Sequence, residues 1–415
     1  MAEALRAGVV VVGGGPAGIA AAVAAGSSGA SVLLLDSAAT PGGQVWRHRG
    51  TPPLTARRWL ARLARSGATR VRGMTVVDAP APGLLLAERE GRAQHVAYER
   101  LVLATGAREL FLPFPGWTLP GVVGAGAAHA LLAAGARFAG KRVVVAGSGP
   151  LLLVVAAALA RDGARVAAVV EQARASDLRG LALPLTSRPG KLLQGAAARL
   201  RLLGVPYLTG CWVREASGDG RVARCVATDG SRERVLDCEI LACGYGLVPN
   251  LELPRLLGCA VDRGTVVVDD SQRTSVPDVF AAGELVGVGG ASQALSTGTA
   301  AGLSAAGRVA PPKLRRRVER DRRFADALAR AFAPRAELRD LPAPGTLVCR
   351  CEDVALGRLD PAWGARTAKL VTRAGMGPCQ GRVCGPALSF LFGWEPDSVR
   401  PPLSPVPISV LEEDA

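Results

Sequence analysis

The stretch VVVVGGGPAGIAAAVAAG, Val9 to Gly26, decides the fold. Four consecutive valines read as a short buried strand, the glycine cluster as a tight turn, and the alanine-rich run as a helix. Gly13, Gly15 and Gly18 stand in G-x-G-x-x-G spacing, with Pro16 and Ala17 opening the helix. In that spacing the first glycine permits the turn, the second lets backbone N–H groups approach a diphosphate, and the third lets helix lie against strand. Unpaired N–H groups and the helix dipole favour an anion there. A second β run, ASVLLLD, ends on Asp36, where a carboxylate can accept bonds from a ribose. Strand, turn, helix, strand and acid in register predict a dinucleotide site on a parallel sheet with crossover helices.

Downstream, residues 71–98 read as short antiparallel pieces laid over that sheet, and LVLATGAR (Leu101–Arg108) as a buried strand ending in a tight turn. The pattern then restarts in KRVVVAGSGP, LLLVVAAALARDG and ARVAAVVE, residues 141–171. Here Gly147 and Gly149 are present, but Leu152 takes the third glycine's place, which pushes helix from strand and weakens the fingerprint. Glu171 ends the following strand and suits an adenosine ribose with a free 2′-hydroxyl, so NAD is preferred over NADP. Two readings stay open: a site for NAD or another adenine nucleotide, and a duplicated fold that keeps its shape with the site empty.

Four cysteines near the end carry a different chemistry. Cys349 and Cys351 form a C-x-C pair in VCRCEDV, and Cys379 and Cys384 a C-x4-C pair in GPCQGRVCG. Four thiolates can hold a 2Fe–2S cluster, a 4Fe–4S cluster or structural zinc. Zinc knuckles present C-x2-C pairs, so this spacing favours iron–sulfur over zinc without excluding it. Gly375, Gly377, Gly381 and Gly385 offer bare backbone to sulfur, while Arg350, Arg373 and Arg382 would offset an anionic cluster. The other five cysteines are scattered through the body as small hydrophobes, and no C-x-x-C dithiol occurs there.

With 415 residues, 49% hydrophobic and 20% charged, the chain can fold into two or three domains with real cores. The net charge of +15 is nearly all arginine, since Lys occurs only at 141, 191, 313 and 369. That is the composition of a GC-rich coding sequence, with a basic face for an acidic partner or anionic cofactor as the sharper alternative. No reading helix, finger or stacking motif accompanies the charge, so nucleic acid is not a partner. The uncharged runs 7–35 and 143–160 reach the length of a membrane span, but glycine and proline break each into strand, turn and helix. No transmembrane segment or export signal is read, which places the protein in the cytoplasm with reduced thiols, peripheral contact with the inner face of the membrane being left open. His48, His95 and His129 are the only histidines, none lies in an acid/base constellation, and no catalytic residue is assigned.

Several motifs together carry a resemblance. Gly42-Gly43-Gln44, Ala104-Thr105-Gly106 and TSVPDVFAAGE (Thr274–Glu284) are similar to the two-dinucleotide-domain flavoproteins, the thioredoxin-reductase-like and glutathione-reductase-like enzymes. That resemblance implies FAD at the first site, bound through Gly43, Gln44, Thr105, Gly106 and Gly283, with Glu284 on the ribityl chain where Asp is more usual. VCRCEDV with TRAGMGPCQGRVCGP resembles the bacterioferritin-associated-ferredoxin-like 2Fe–2S domain. GWTLPGV (Gly116–Val122) followed by CQGR extends the likeness nearly end to end. The whole chain resembles the α subunit of hetero-oligomeric FAD/2Fe–2S amine or imino-acid dehydrogenases, the family of D-hydroxyproline dehydrogenase, opine oxidase and hydrogen cyanide synthase.

The family implies an α/β fold of two Rossmann-like domains plus a small C-terminal iron–sulfur domain. Its expected parts are an FAD domain at 1–112 and 265–310, a second nucleotide domain at 113–264, a basic linker helix at 311–340, a 2Fe–2S domain at 341–395 and a Pro-rich extended tail at 396–415. It also implies a flavin-containing β subunit that oxidises a small-molecule amine, with or without a small iron–sulfur γ subunit. This chain would relay the electrons. The alternative is a self-contained NAD(P)H-dependent reductase feeding its own cluster, which needs a working second fingerprint.

Overall fold

The computed structural model describes residues 4–48, 50–186, 188–395 and 398–412. Strand β1 (Leu5–Val12) runs into α1 (Pro16–Gly26), and the chain returns through β2 (Val32–Asp36), α2 (Leu54–Arg65) and β3 (Thr69–Arg72). Then come β4 (Thr75–Ala81), β5 (Leu84–Arg89) and the twelve-residue β6 (Arg92–Leu103). These order as β3-β2-β1-β6-β5-β4, and Val279–Ala281 also pairs with β6. β1, β2 and β3 are parallel, as are β1 and β6. The pieces expected to lie over the sheet instead extend it. The first half of β6 pairs antiparallel with β5 while the strand continues alongside β1. A strand this long offers one edge to the hairpin and the other to the parallel core.

α1 is buried from Pro16 to Ala25, between the sheet and the helix Ala291–Ala305. Small residues allow the two helices to meet backbone to backbone. A Cβ on Gly298 would fall on the Ala17 carbonyl, and one on Gly302 on the Ala21 carbonyl.

The chain divides into two compact units, 1–108 with 248–326 and 398–415, and 109–247 with 327–397. In the second, Tyr207–Thr209, Arg165–Glu171, Arg142–Gly147, Ile240–Gly244 and Val122–Gly124 lie in that order as an all-parallel sheet. Helix Leu151–Arg161 packs on it through Leu152, Val155 and Leu159. Leu152, standing where a third glycine would be, is a buried core residue here. Trp212–Ser217, Arg224–Thr228 and Glu233–Asp237 form a three-stranded antiparallel sheet.

The basic segment is a helix, Pro312–Ala331, but it is not merely solvated. In the first unit, Asp321 is buried and accepts from Ser296 Oγ at 2.6 Å. In the second, Ala327, Leu328, Ala331 and Phe332 pack with Leu181 and Leu185. The cysteine module belongs to the second unit and has its own core, including Val348, Val354, Ala368, Leu388 and Trp394.

The tail expected to be extended and outside the core also differs. Its residues 396, 397 and 413–415 lie outside those described, but Leu403 and Val410 are buried. Val410 packs with Val77, Leu86 and Ala93, and the Leu403 N–H donates to the Val77 carbonyl. Proline density predicts an extended path, yet two apolar side chains suffice to dock that path on a sheet.

Gly302→Ala tests the helix contact. An unconstrained helical Gly→Ala gains up to about 1 kcal/mol, whereas overpacking costs about 1–3 kcal/mol. A lowered urea midpoint and melting temperature are expected; a raised midpoint would show that the two backbones have room to part.

Candidate cofactor site

Around the first fingerprint the glycines do separate jobs. Gly13 has φ +114°, and a Cβ there would fall on the Ala104 carbonyl, while one on Gly18 would fall on the Gly13 carbonyl. A Cβ on Gly15 would meet nothing within 4 Å, so this backbone faces open space where a diphosphate can approach. Gly42 N–H donates to the Gly14 carbonyl at 2.8 Å, and Gly43 closes over Gly15, so the Gly42-Gly43-Gln44 loop frames the same opening. Gln44 itself is exposed. Asp36 is buried at the strand end, pressed against Gly14, and accepts from Arg70 Nη2 at 2.7 Å and Ala38 N–H at 3.1 Å. Arg70 therefore holds the acid in place, a role for which the sequence carries no signal.

The Thr105-Gly106 turn is pinned by Asn250. Thr105 Oγ1 donates to the Asn250 carbonyl at 3.0 Å, Asn250 Nδ2 to the Thr105 carbonyl at 2.7 Å, and Asn250 N–H to the Gly106 carbonyl at 2.9 Å. Gly283 (φ +76°) packs against Ala17 and donates to Thr297 Oγ1 at 2.9 Å. Glu284 turns toward its own loop, with Oε1 accepting from Gly290 N–H at 3.0 Å. The first unit thus gathers Gly13, Gly15, Pro16, Ala17, Gly18, Gly43 and Gly283 around the start of α1, with Gly15 facing open space. That bare-backbone cradle fits a dinucleotide such as FAD.

The second fingerprint shares the turn but spends its polar groups differently. Gly147 and Gly149 have φ +130° and +109°. Glu171, expected on a ribose, reaches no solvent, and its two oxygens accept from Gly149 N–H and Ala173 N–H, each at 2.9 Å. Burial raises its carboxyl to about 7 against those hydrogen bonds. Glu109 does similar work for the helix Ala125–Ala133. It accepts from Gly126 N–H at 2.8 Å, and burial likewise raises it to about 7.

In the cysteine module the four thiols stand as two pairs. Cys349 is in hydrogen-bonding contact with Cys384, and Cys351 with Cys379. Among the described residues no three Cys, His, Asp or Glu side chains converge on one ion position. The Cys384 thiol, helped by N–H groups including that of Gly375 at 3.5 Å, holds Cys349 down to about 5. The same pairing and burial push Cys384 up. Cys384 begins the helix Cys384–Phe392, and a Cβ on Gly377 would clash with Cys351. Of the three arginines expected to offset a cluster, Arg373 is engaged with Glu352 at 2.7 Å and Arg382 with Gln380 at 2.6 Å. Arg350 lies 5.7 Å over the Trp117 ring, whose Nε1 donates to the Leu347 carbonyl at 2.7 Å. The GWTLPGV motif thereby grips the strand Leu347–Cys349, which ends on the first cysteine of the C-x-C pair.

These features define a flavoprotein built from two dinucleotide-type folds. The sequence pattern of the pyridine nucleotide-disulphide oxidoreductases matches residues 7–302, and the chain belongs to that family of flavin-dependent oxidoreductases. The chain is 34% identical to hydrogen cyanide synthase subunit HcnB of Pseudomonas aeruginosa, over 91% of this chain and 92% of that one. It is 32% identical to an opine oxidase subunit from Rhizobium meliloti, over 90% and 91%. Among solved structures, L-proline dehydrogenase from P. horikoshii matches with a TM-score of 0.68 at 20% identity, covering 99% of this chain and 81% of that one. Thioredoxin reductase from T. acidophilum matches with 0.56 at 23% identity, covering 73% and 98%, and both likenesses show the fold. No helix among the described residues is long and apolar enough to cross a membrane.

The raised Glu171 carboxyl has a pH signature. Its folded-state value of about 7 lies above its ordinary 4.5, so the folded protein binds the extra proton between those values. Stability therefore falls as pH rises from about 4.5 to 7, by up to about 3 kcal/mol for this group. Glu171→Gln should remove this group's share of the decline and leave the share contributed by Glu109, which is also raised to about 7. Urea unfolding at pH 5 and pH 7 checks it, and an unchanged pH slope in the variant would assign the decline elsewhere.

Proposed function

We propose that this chain is the electron-transfer subunit of a multi-subunit dehydrogenase that oxidises a secondary amine or imino acid. D-hydroxyproline, proline, an opine or a glycine-like compound is the substrate class. It would hold FAD in the first unit and a 2Fe–2S cluster on Cys349, Cys351, Cys379 and Cys384. The observation that carries this reading is the pairing of the thiols, Cys349 with Cys384 and Cys351 with Cys379. A two-iron cluster takes four thiolates, two to each iron, and four thiols standing as two neighbouring pairs suit that arrangement. The relatives add the context. Both the HcnB chain and its opine oxidase counterpart are named as parts of larger enzymes, hydrogen cyanide synthase and opine oxidase.

FAD supplies two-electron chemistry and the cluster one-electron chemistry when bound. The chain's own residues position and tune. The Gly13–Gly18 turn and the N-terminus of α1 would hold the diphosphate, with Asp36, fixed by Arg70, at the ribose end. Asn250 keeps the Thr105-Gly106 turn closed. Gly375 N–H on the Cys349 sulfur, together with the start of the helix at Cys384, stabilises thiolate charge. No histidine or carboxylate is assigned as a base toward the amine. That chemistry falls to a flavin-containing β subunit, with or without a γ subunit.

Metal analysis of the purified chain should find two irons and two sulfides per chain. Cys351→Ser should lose them while the flavin spectrum persists; zinc in place of iron would remove the relay. Co-expressed with the genes that neighbour it, the chain should co-purify with a second flavoprotein. Its flavin should then be reduced by D-hydroxyproline, proline, an opine or glycine, and only when that partner is present. Reduction of the isolated chain by an amine would sink the division of labour.

A further inference from the structure

The second dinucleotide fold keeps its turn, but the chain itself lies against the adenosine end of its crevice. Residues 332–335, immediately after the helix Pro312–Ala331, cross two positions beside the glycine turn and the strand-end acid, the features that hold a dinucleotide's diphosphate and ribose in such folds. Those positions are the residue between the two glycines, Ser148, and the residue following the strand-end acid, Gln172. Ser148 Oγ donates to the Phe332 carbonyl at 2.9 Å. Gln172 Nε2 donates to the Ala333 carbonyl at 3.1 Å and to Ser148 Oγ at 2.9 Å, while its Oε1 accepts from Arg335 N–H at 3.2 Å. Arg335 then reaches past the strand end, donating from Nη1 to the Gly210 carbonyl at 3.3 Å and lying 4.7 Å over the Trp212 ring. Ser148 is 3% and Gln172 0% exposed, so the second unit's side of these hydrogen bonds is buried, while the segment itself is half-buried to exposed.

We infer that the second unit's dinucleotide crevice is a socket for the chain's own segment Phe332–Arg335, which anchors the cysteine module and excludes NAD(P)H. The polar groups that could recognise a ribose are engaged. Glu171 serves the backbone of its own loop, and Gln172 and Ser148 serve the segment. Closure is confined to the adenosine end, because a Cβ on Gly149 would still meet nothing within 4 Å. The segment leads through the turn Ala336–Asp340 to Leu347, where Trp117 of the same unit takes the second grip on the module. A cofactor site has become a structural joint, and nicotinamide is thereby removed as this chain's electron source. The inference rests on the geometry of the second unit and not on the metal reading.

The test uses the full chain with its flavin. Anaerobic titration with NADH and with NADPH should leave the flavin absorbance unchanged, and calorimetry with ADP-ribose should show no saturable binding. Saturable binding of any of the three would overturn the inference. A second arm reads the joint directly. In Gln172→Ala with Arg335→Ala, hydrogen exchange in peptides covering 328–340 should quicken at least about tenfold, the change that 1.4 kcal/mol of lost local stability produces. Peptides covering 5–36 should exchange as in the wild type. Ser148→Ala, which deletes a single hydroxyl, should quicken the same peptides to a smaller degree and covers the case in which the double variant unfolds. Wild-type protection of 328–340 in the variants would sink the socket. No arm uses an amine or a partner subunit, so failure here is separable from failure of the dehydrogenase reading.

Discussion

Backbone oxygens stand where side chains would otherwise be, and the first unit depends on that. The Ala104 and Gly13 carbonyls occupy the space a Cβ would need at Gly13 and Gly18, and the Ala17 and Ala21 carbonyls occupy it at Gly298 and Gly302. α1 is consequently clamped on both sides with almost no side-chain volume between backbones. Such packing is intolerant of added methyl groups because a carbonyl, unlike the end of a side chain, cannot swing away. The same clamp aims the N-terminus of α1 at open space over Gly15, so the constraint that fixes the fold also makes the anion site.

The second unit shows what a repeated fold does when its polar groups find other partners. Asp36 is held by an arginine from a neighbouring strand, Arg70. Its counterpart Glu171 is enclosed and ties the glycine turn to its own strand end. Enclosure without a cation makes the ionised form costly, hence the raised carboxyl. Beside it, the buried Ser148 and Gln172 side chains are hydrogen-bonded to a segment of chain.

The cysteine module follows another logic. Its core is small, so the placement of its thiols depends on turns and backbone donors as well as on burial. Cys349 and Cys384 are buried while Cys351 is exposed and Cys379 half-buried, so one pair is sheltered and the other meets solvent. Trp117 holds the strand that ends at Cys349.

Sequence alone determined the two strand–turn–helix fingerprints, the flavoprotein class and the four-cysteine motif. The fingerprints and the cysteine motif are local patterns of glycine, hydrophobic runs and residue spacing, whereas the flavoprotein class came from the resemblance that further motifs carry. Sequence misread two elements whose fate depends on distant partners, the hairpin that extends the sheet and the proline-rich tail seated by Leu403 and Val410, and it carried no signal that the charged helix buries Asp321. Tertiary structure decided which polar groups remain for a ligand. Nothing local to Gln172 or Arg335 shows that the Gln172 side chain would be spent on the backbone of Ala333 and Arg335, or the Arg335 side chain on that of Gly210. That outcome requires residues more than a hundred positions apart to meet, and only the folded chain brings them together.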